Sequence, residues 1–317
     1  MRRYHIDERR RVKRRDGVRG AIEYAAAVAL LKSFGWIPRF AAYPAAEIVA
    51  SLGFRFAGRQ RRAGMRNLKM ALPHLNEQER RAILRGSFSS LGRLLVEFSH
   101  FPYLNKNNIS DHVVYEGFEH YEEAVKRGQG VIFLTGHFGA WELSCFAHSL
   151  YGHPMKFVVR EIDNARVERL IGSYRGRAGN TPIEKRNASR DILRALRRNE
   201  TIGILVDQNT TRDEGVFVNF FGIPASTTPA IATLALRTGA AVLPGFLIWD
   251  RKNHRHRLHF DPPMKLIETG DPARDILENT EACNAVLERM IRLYPDQWLW
   301  IHRRWKTRPE GEASLYE

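Results

Sequence analysis

The alternation of short apolar runs with helical stretches constrains the fold of this chain more than any other feature. From residue 113 onward, short apolar runs recur, and each is separated from the next by a stretch whose apolar residues have helical spacing. Short apolar runs are typical of strands that are buried on both faces of a parallel sheet, and helices supply the connections between such strands. The chain is therefore predicted to be an α/β protein with a central, largely parallel sheet flanked by helices.

The periodicity also places the individual elements. The predicted strands lie at 131–135, 157–159, 202–206, 241–247 and 256–260. The predicted helices lie at roughly 116–127, 141–150, 163–178, 187–199, 229–238 and 272–293. Upstream of the sheet, Asn76 and Glu79 have the spacing of a capping box, which predicts that a further helix begins there.

Charge and hydropathy set the N-terminal part apart from the rest. The chain carries a net charge of +15, and its first twenty residues precede an apolar, aromatic-rich segment that ends near Phe56. Charged residues and prolines interrupt this segment, so it lacks the run of about 18 apolar residues that a spanning helix needs. Residues 1–60 are predicted to be a basic, amphipathic segment that lies on an anionic membrane surface, and residues 61–317 to be the α/β domain. The alternative for the basic run is a solvated tail.

The two cysteines, Cys145 and Cys283, cannot form a disulfide framework and lie in apolar, helical contexts. So few cysteines in such contexts favour a reducing location on the cytosolic side.

Polar residues follow three of the predicted strands. His137 comes just after the strand at 131–135, Arg160 after the next strand, and Asp207 with Gln208 after the third. In sheets of this kind, ligands bind beyond the carboxyl ends of the strands. The chemistry of the chain is therefore expected at this edge of the sheet.

His137 and Glu142 are the candidate catalytic pair. On one continuous helix they would point about 140° apart, but Gly136 and Gly139 permit a turn that leaves His137 in a loop and Glu142 in the first turn of a helix. Glu142 could then accept the ring proton of His137, and the other ring nitrogen could act as a base toward a substrate hydroxyl. The alternative is an ordinary turn histidine beside an ordinary helix carboxylate.

No metal site or cofactor is predicted. The spacing of His137 and Glu142 differs from the HExxH pattern of zinc peptidases, and no further pair of ligands is evident. His254, His256 and His259 alternate in a basic segment that is expected to be an exposed hairpin rather than a metal site.

Several segments resemble a known family. GHFGAWE at 136–142 resembles the HX4(D/E) motif of the lysophospholipid acyltransferase superfamily, and the wider pattern resembles its lipid A late-acyltransferase branch, the lauroyl and myristoyl transferases of Gram-negative bacteria. The most specific matches are FVNFFGIPASTTP at 217–229 and QWLWIHRRWKTRP at 297–309. Asn67 with Leu68 and Pro73, Arg160, and Asp207 with Gln208 extend the resemblance over most of the chain.

The resemblance implies a mechanism and a set of site residues. His137 would deprotonate an acceptor hydroxyl, Glu142 would orient His137, and the hydroxyl oxygen would attack an acyl thioester without a metal or a covalent acyl-enzyme. Arg160 would bind a phosphate group or the acyl carrier protein that bears the thioester, or it would stabilise the developing oxyanion. The other residues expected in substrate binding are Asp207, Gln208, Phe220, Phe221, Arg303 and Arg304.

The expected function is therefore O-acyl transfer from acyl carrier protein to a lipid A precursor, a phosphorylated glycolipid, at the cytoplasmic face of the inner membrane. An acyl-CoA-dependent enzyme that acts on another glycolipid, such as a phosphatidylinositol mannoside, is the closest alternative. A thioesterase would use water as the acceptor. A non-catalytic basic protein that binds membranes or nucleic acid is a third possibility, but it offers no reason for His137 and Glu142 at a strand end. A nucleic-acid partner is not expected.

Overall fold

The computed structural model describes residues 17–159, 161–184 and 188–316 of the chain. These residues form an α/β fold with a seven-stranded sheet and a separate two-stranded hairpin. The described strands are β1 Val113–Glu116, β2 Val131–Thr135, β3 Lys156–Val159, β4 Thr181–Glu184, β5 Thr201–Leu205, β6 Val216–Phe220, β7 Ile223–Thr227, β8 Ala241–Asp250 and β9 Arg255–Phe260. The described helices are α1 Val18–Trp36, α2 Arg39–Phe56, α3 Gly58–Ala71, α4 Glu77–His100, α5 Phe118–Lys126, α6 Trp141–Leu150, α7 Ala165–Arg175, α8 Ala188–Leu196, α9 Ala230–Thr238 and α10 Pro272–Leu293.

The central sheet confirms the predicted, largely parallel architecture. Its strand order is β1-β9-β8-β2-β5-β3-β4, and all neighbouring strands that pair are parallel except β8 and β9. β2 lies between β5 and β8, and its residues Val131 to Leu134 are all buried. A strand covered on both faces needs apolar side chains at every position, which explains the unbroken apolar run in the sequence.

Helices cover both faces of this sheet. On one face, Phe133 of β2 packs in a cluster with Leu143 and Phe146 of α6, and α7 lies against the same cluster. On the other face, Ile132 packs in a second cluster that includes Leu234 of α9, together with residues of α8 and α10. Successive residues of a strand point to opposite faces, so the apolar run of β2 contributes to both clusters.

The N-terminal helices pack on the long helix α4. The predicted capping box begins α4: the Asn76 side chain accepts from the Glu79 backbone at 3.0 Å, and the Glu79 carboxylate accepts from the Asn76 backbone at 2.7 Å. A side chain at Gly92 would lie 2.9 Å from the Ala46 carbonyl oxygen, so glycine lets α2 approach α4 closely. Among the described residues, no helix has both the length and the hydropathy needed to span a bilayer.

Some elements differ from the prediction. β1, β4 and the hairpin of β6 and β7 were not predicted, because short strands at a sheet edge or outside the sheet lack a long apolar run. The expectation that 254–259 forms an exposed hairpin is wrong for His256, which is buried. β9 lies between β8 and β1, so alternate side chains of β9 face the interior.

Candidate active site

His137 lies in the loop between β2 and α6, at the carboxyl edge of the sheet. Gly139 in this loop has φ +55°, and a side chain there would collide with the Leu247 carbonyl oxygen. The Gly139 N–H donates to the Gln297 carbonyl at 2.7 Å, and the His137 carbonyl accepts from the Leu299 N–H at 3.1 Å. The loop that holds His137 is thus fixed by β8 on one side and by the C-terminal segment on the other.

Asp207 is the carboxylate that binds His137. It follows β5, the strand next to β2, and its Oδ1 lies 2.8 Å from His137 Nδ1. Its Oδ2 accepts from the His137 backbone N–H at 2.7 Å and from the Trp298 indole N–H at 2.8 Å. A side chain at Gly136 would lie 2.9 Å from Asp207 Oδ2, so glycine is needed for this approach. With the Nδ1 proton held by Asp207, His137 has Nε2 available as a base.

The pairing shifts the pKa of both groups. Burial raises the pKa of Asp207, but the charge of His137 and the hydrogen bonds from His137 and Trp298 outweigh burial and bring it down to about 2. Burial lowers the pKa of His137, but Asp207, with a smaller effect of Glu142, outweighs it and leaves the pKa above its ordinary value of 6.5. Asp207 therefore stays ionised and stabilises the imidazolium form of His137.

The expected contact between His137 and Glu142 is not the one in the structure. Glu142 does lie in the first turn of α6, but both of its carboxylate oxygens accept from Arg175 of α7, at 2.8 Å from Nε and 2.5 Å from Nη2. The prediction that Glu142 accepts the His137 ring proton is therefore corrected: Asp207 occupies that position. Glu142 and Arg175 each keep about 16% of their side chain exposed and line the same cleft as His137.

Gln208 lies beside the free nitrogen of His137. Its Nε2 is 3.1 Å from His137 Nε2, and Gln208 itself is exposed. The amide N–H can donate to the imidazole lone pair, so Gln208 occupies the position from which a substrate hydroxyl would approach. The structure thus places Asp207 and Gln208, both expected at this edge, directly on His137.

The C-terminal segment, residues 297–309, forms hydrogen bonds that stabilise the site. The His302 ring accepts the Asn209 backbone N–H at 3.0 Å, and burial is the main reason that the pKa of His302 falls to about 4. Asn67 of α3 donates to the carbonyls of Trp300 and His302, each at 2.6 Å. Together with the Trp298 indole on Asp207, these bonds hold the strand end that carries the carboxylate.

A cleft of about 1000 Å³ opens at His137. On the face of the sheet that carries α6, its wall includes Phe133, Met155 and Phe260, and its floor includes Gly203 and Gly245, which lack side chains. Mostly apolar walls with a few polar groups at one place are typical of a site for an apolar ligand with one reacting group. In this cleft the polar groups near His137 include Glu142, Arg175 and Gln208.

Other predicted site residues lie elsewhere. Phe220 and Phe221 were expected to shape the substrate pocket, but both are buried and pack against Trp298, Trp300 and Trp305 instead of lining the cleft. The reason is that β6 and β7 form a hairpin whose inner side faces the C-terminal tryptophans. Those tryptophans are themselves buried, so the tail segment is part of the core.

The two tail arginines also lie away from the cleft. Arg304 is fully buried and donates to the Ser226 carbonyl and the Thr227 hydroxyl, and burial lowers its pKa to about 10. Arg303 stacks on Tyr316, with 5.5 Å between its guanidinium and the ring centre. The expectation that these side chains bind substrate is not supported by their positions, because neither lines the cleft. Arg160 lies outside the described residues.

The sequence interpretation missed two contributors. Arg175 gives no local signal, because it belongs to an amphipathic helix 33 positions after Glu142 in the chain and meets it only in the fold. Trp298 lies in the segment 297–309 that carries the family resemblance, but its hydrogen bond to Asp207 joins positions 91 residues apart and exists only in the fold. The described residues contain no group of three or more His, Cys, Asp or Glu side chains that could hold a metal ion.

Comparison with known proteins relates this site to a family. The sequence model of the bacterial lipid A biosynthesis acyltransferases matches residues 12–307. This range includes the loop of His137, the end of β5 with Asp207, and the supporting C-terminal segment.

Individual relatives agree with this match. The lipid A biosynthesis palmitoleoyltransferase of Escherichia coli (strain K12) is 30% identical over 271 residues, which cover 84% of this chain and 86% of that protein. The lauroyltransferase of the same strain is 28% identical over 269 residues, with 84% and 86% covered. A lipid A biosynthesis acyltransferase of Haemophilus influenzae is 26% identical over 261 residues, with 82% and 80% covered. This chain is an acyltransferase and belongs to the family of bacterial lipid A biosynthesis acyltransferases.

Proposed function

We propose that this enzyme transfers a fatty acyl group from a thioester donor to a hydroxyl of a lipid A precursor. The observation that carries the proposal is the position of His137, whose Nδ1 is held by buried Asp207 and whose Nε2 faces the mouth of an apolar cleft. The names of the relatives, which act in lipid A biosynthesis, support the acceptor.

The mechanism begins with the substrate hydroxyl taking the place of the Gln208 amide beside His137. Nε2 accepts the hydroxyl proton as the oxygen attacks the thioester carbonyl, so the new C–O bond forms while the imidazole becomes imidazolium. The tetrahedral intermediate then collapses, the C–S bond breaks, and His137 returns its proton to the leaving thiolate. The products are an ester and a free thiol, and the enzyme is unchanged.

Two carboxylates favour the imidazolium that forms during this reaction. Asp207 binds Nδ1 directly, and the charge of Glu142 acts on His137 from across the cleft. Arg175 donates two hydrogen bonds to Glu142. Because both side chains are largely buried, the positive charge of Arg175 compensates the cost of removing the Glu142 carboxylate from water. We assign His137 as the general base, Asp207 as the residue that orients it, Glu142 as its electrostatic partner, and Arg175 as the residue that holds Glu142 in place.

The N-terminal helices are proposed to attach the enzyme to the cytoplasmic face of the inner membrane. Trp36, Phe40 and Phe56 are 76%, 82% and 75% exposed, and α1 and α2 carry most of the large exposed apolar side chains of the described residues. Exposed aromatic side chains beside basic residues suit the interface of an anionic bilayer. Residues 1–60 would thus be the membrane-associating segment and 61–317 the catalytic domain.

The donor is proposed to be an acylated carrier protein, with acyl-CoA as the alternative. Both present the acyl group as a thioester, and the cleft at His137 is apolar enough for the acyl chain in either case. The basic surface of the enzyme, with a net charge of +15, favours an acidic donor.

The test uses purified enzyme, a carrier-bound acyl thioester and a lipid A precursor, with mass spectrometry of the lipid. We expect acylated lipid, and a loss of at least about a hundredfold in rate for His137→Ala and for Glu142→Gln, the usual scale for a general base and its partners. His74→Ala, a change of an exposed histidine in the turn before α4, serves as the control and should retain full activity.

Two results would overturn the proposal. Full activity of both His137→Ala and Glu142→Gln, with their fold intact by circular dichroism, would remove the mechanism. Release of free fatty acid at the same rate with and without the lipid would identify a thioesterase instead.

A further inference from the structure

The cleft passes through the sheet between β3 and β5. These two strands pair only through Lys156 with Ile202 and Phe157 with Gly203. Beyond those pairs the cleft is lined by the next residues of both strands, Val158, Val159, Ile204 and Leu205. Where the strands separate, the cleft that begins at His137 therefore extends to the second face of the sheet.

On that second face, α8 and α9 border the opening. Ile192 and Leu193 of α8 and Leu234 of α9 supply apolar walls. Ser189 and Arg237, which are exposed, also line the cleft and mark where it reaches solvent. The cleft therefore has two parts, one on the face of the sheet that carries α6 and one between α8 and α9. A substrate can reach His137 through the second part.

The outer side of α8 is basic along its length. Arg190, Arg194 and Arg197 are exposed, and their spacing of four and three residues places them on one side of the helix and the turn that follows it. They span about 10 Å at the helical rise of 1.5 Å per residue. Arg194 forms an exposed ion pair with Asp191, with 3.3 Å between Nη1 and Oδ1. The inner side of the same helix is buried in the core through Ile192.

This basic surface lies away from α1, one of the two helices that are proposed to contact the membrane. α1 packs on α4 and α7, and α7 covers the face of the sheet opposite to α8 and α9. A soluble partner can therefore approach α8 while α1 rests on a bilayer.

We infer that Arg190, Arg194 and Arg197 form the docking surface for an acidic acyl carrier protein, whose thioester arm enters between α8 and α9. This inference rests on the proposed function and names the partner of that site. Three guanidinium groups spread along a helix suit an extended acidic surface, whereas the clustered phosphates of CoA would need cations that converge on one point. Asp213, which lines the cleft from the loop after β5, would repel the acidic carrier from that rim and so help to orient it.

The test compares two donors and two matched variants. Arg190→Glu with Arg197→Glu reverses two charges on α8, and Lys126→Glu with Arg127→Glu reverses two exposed charges at the end of α5 on the other face. For the α8 variant we expect KM for the carrier-bound donor to rise at least about tenfold, with kcat and the KM for acyl-CoA nearly unchanged. The control variant should behave as the wild type at the same ionic strength, and the effect should shrink at high salt.

Direct binding of the acylated carrier protein is measured by fluorescence anisotropy. This measurement tests the docking surface separately from the proposed acyl transfer. If both variants weaken carrier binding equally, a general charge effect replaces the docking surface. If the α8 variant impairs acyl-CoA to the same degree, the arginines act on the thioester arm or the fold, and the inference is wrong. If the wild type binds the carrier through α8 but transfers no acyl group, the surface stands and the proposed function fails.

Discussion

At the scale of single residues, Asp207 sets the hydrogen bonding and the charge environment of His137. Its two oxygens accept three N–H groups, from the His137 ring, the His137 backbone and the Trp298 indole. A buried carboxylate with this many donors remains ionised, and it selects the tautomer of His137 that leaves Nε2 free. The contact with His137 that spacing suggested for Glu142 is therefore made by Asp207, which follows β5.

This arrangement predicts the pH dependence of activity. His137 must be neutral to act as a base, and its pKa lies above 6.5, so kcat/KM should rise with pH through a value above 6.5. Asp207→Asn removes the charge that raises this pKa, so the rise should shift to lower pH, while the maximal rate falls at least about a hundredfold. The pH profile and an NMR titration of the His137 ring measure the two effects. An unchanged ring pKa in the variant would contradict the assignment.

At the scale of elements, a buried polar network joins α2, α4 and β9. Glu97 of α4 is 1% exposed and accepts from Arg39 at 3.2 Å and from the hydroxyl of Tyr43, both on α2. The Nε2 of His256 on β9 lies 3.2 Å from the same carboxylate. These contacts outweigh the effect of burial and hold the pKa of Glu97 well below its usual range. The network thus ties an N-terminal helix to the central sheet.

Glu97→Gln should therefore destabilise the fold. Removing one partner from a buried charged group leaves Arg39 without its counter-ion, so we expect the free energy of unfolding to fall by about 3 kcal/mol. Because the pKa of Glu97 is lowered, this contribution is complete above pH 4.5, its ordinary value, and is lost as the pH falls further. Denaturant unfolding at several pH values measures it. Glu116→Gln, at an exposed ion pair with Arg257, is the control and should cost less than about 1 kcal/mol.

At the scale of the whole molecule, the exposed apolar side chains are unevenly distributed. They concentrate on α1 and α2, which pack on α4, whereas α10 carries only Leu277 and Leu293 as large exposed apolar residues. A globular enzyme that exposes such a concentrated apolar region is expected to place it against a lipid surface.

Membrane binding should therefore depend on the turn between α1 and α2. Trp36→Ser with Phe40→Ser should weaken binding to vesicles of phosphatidylethanolamine and phosphatidylglycerol at least about tenfold, because each aromatic side chain loses apolar burial. Leu277→Ser with Leu293→Ser removes two exposed apolar residues on α10 and should leave vesicle binding unchanged. Co-sedimentation measures both variants. Equal loss in the two variants would show that this region is not the membrane contact.

The sequence by itself determined the fold class, because a strand covered on both faces must be apolar at every position. The runs at β2, β5 and β8 therefore revealed a parallel sheet, and its carboxyl edge located His137, Asp207 and Gln208. The capping box of Asn76 and Glu79 was equally evident, since its two hydrogen bonds join residues three positions apart.

Only the tertiary structure decided which groups touch. Asp207 lies 70 positions from His137, and Arg175 lies 33 positions from Glu142, so spacing along the chain carries no information on either contact. For the same reason the sequence suggested that Arg304 binds substrate, although Arg304 is buried in the core together with Trp298. Contacts between distant segments depend on how sheet, helices and tail pack together, and short-range patterns do not encode that packing.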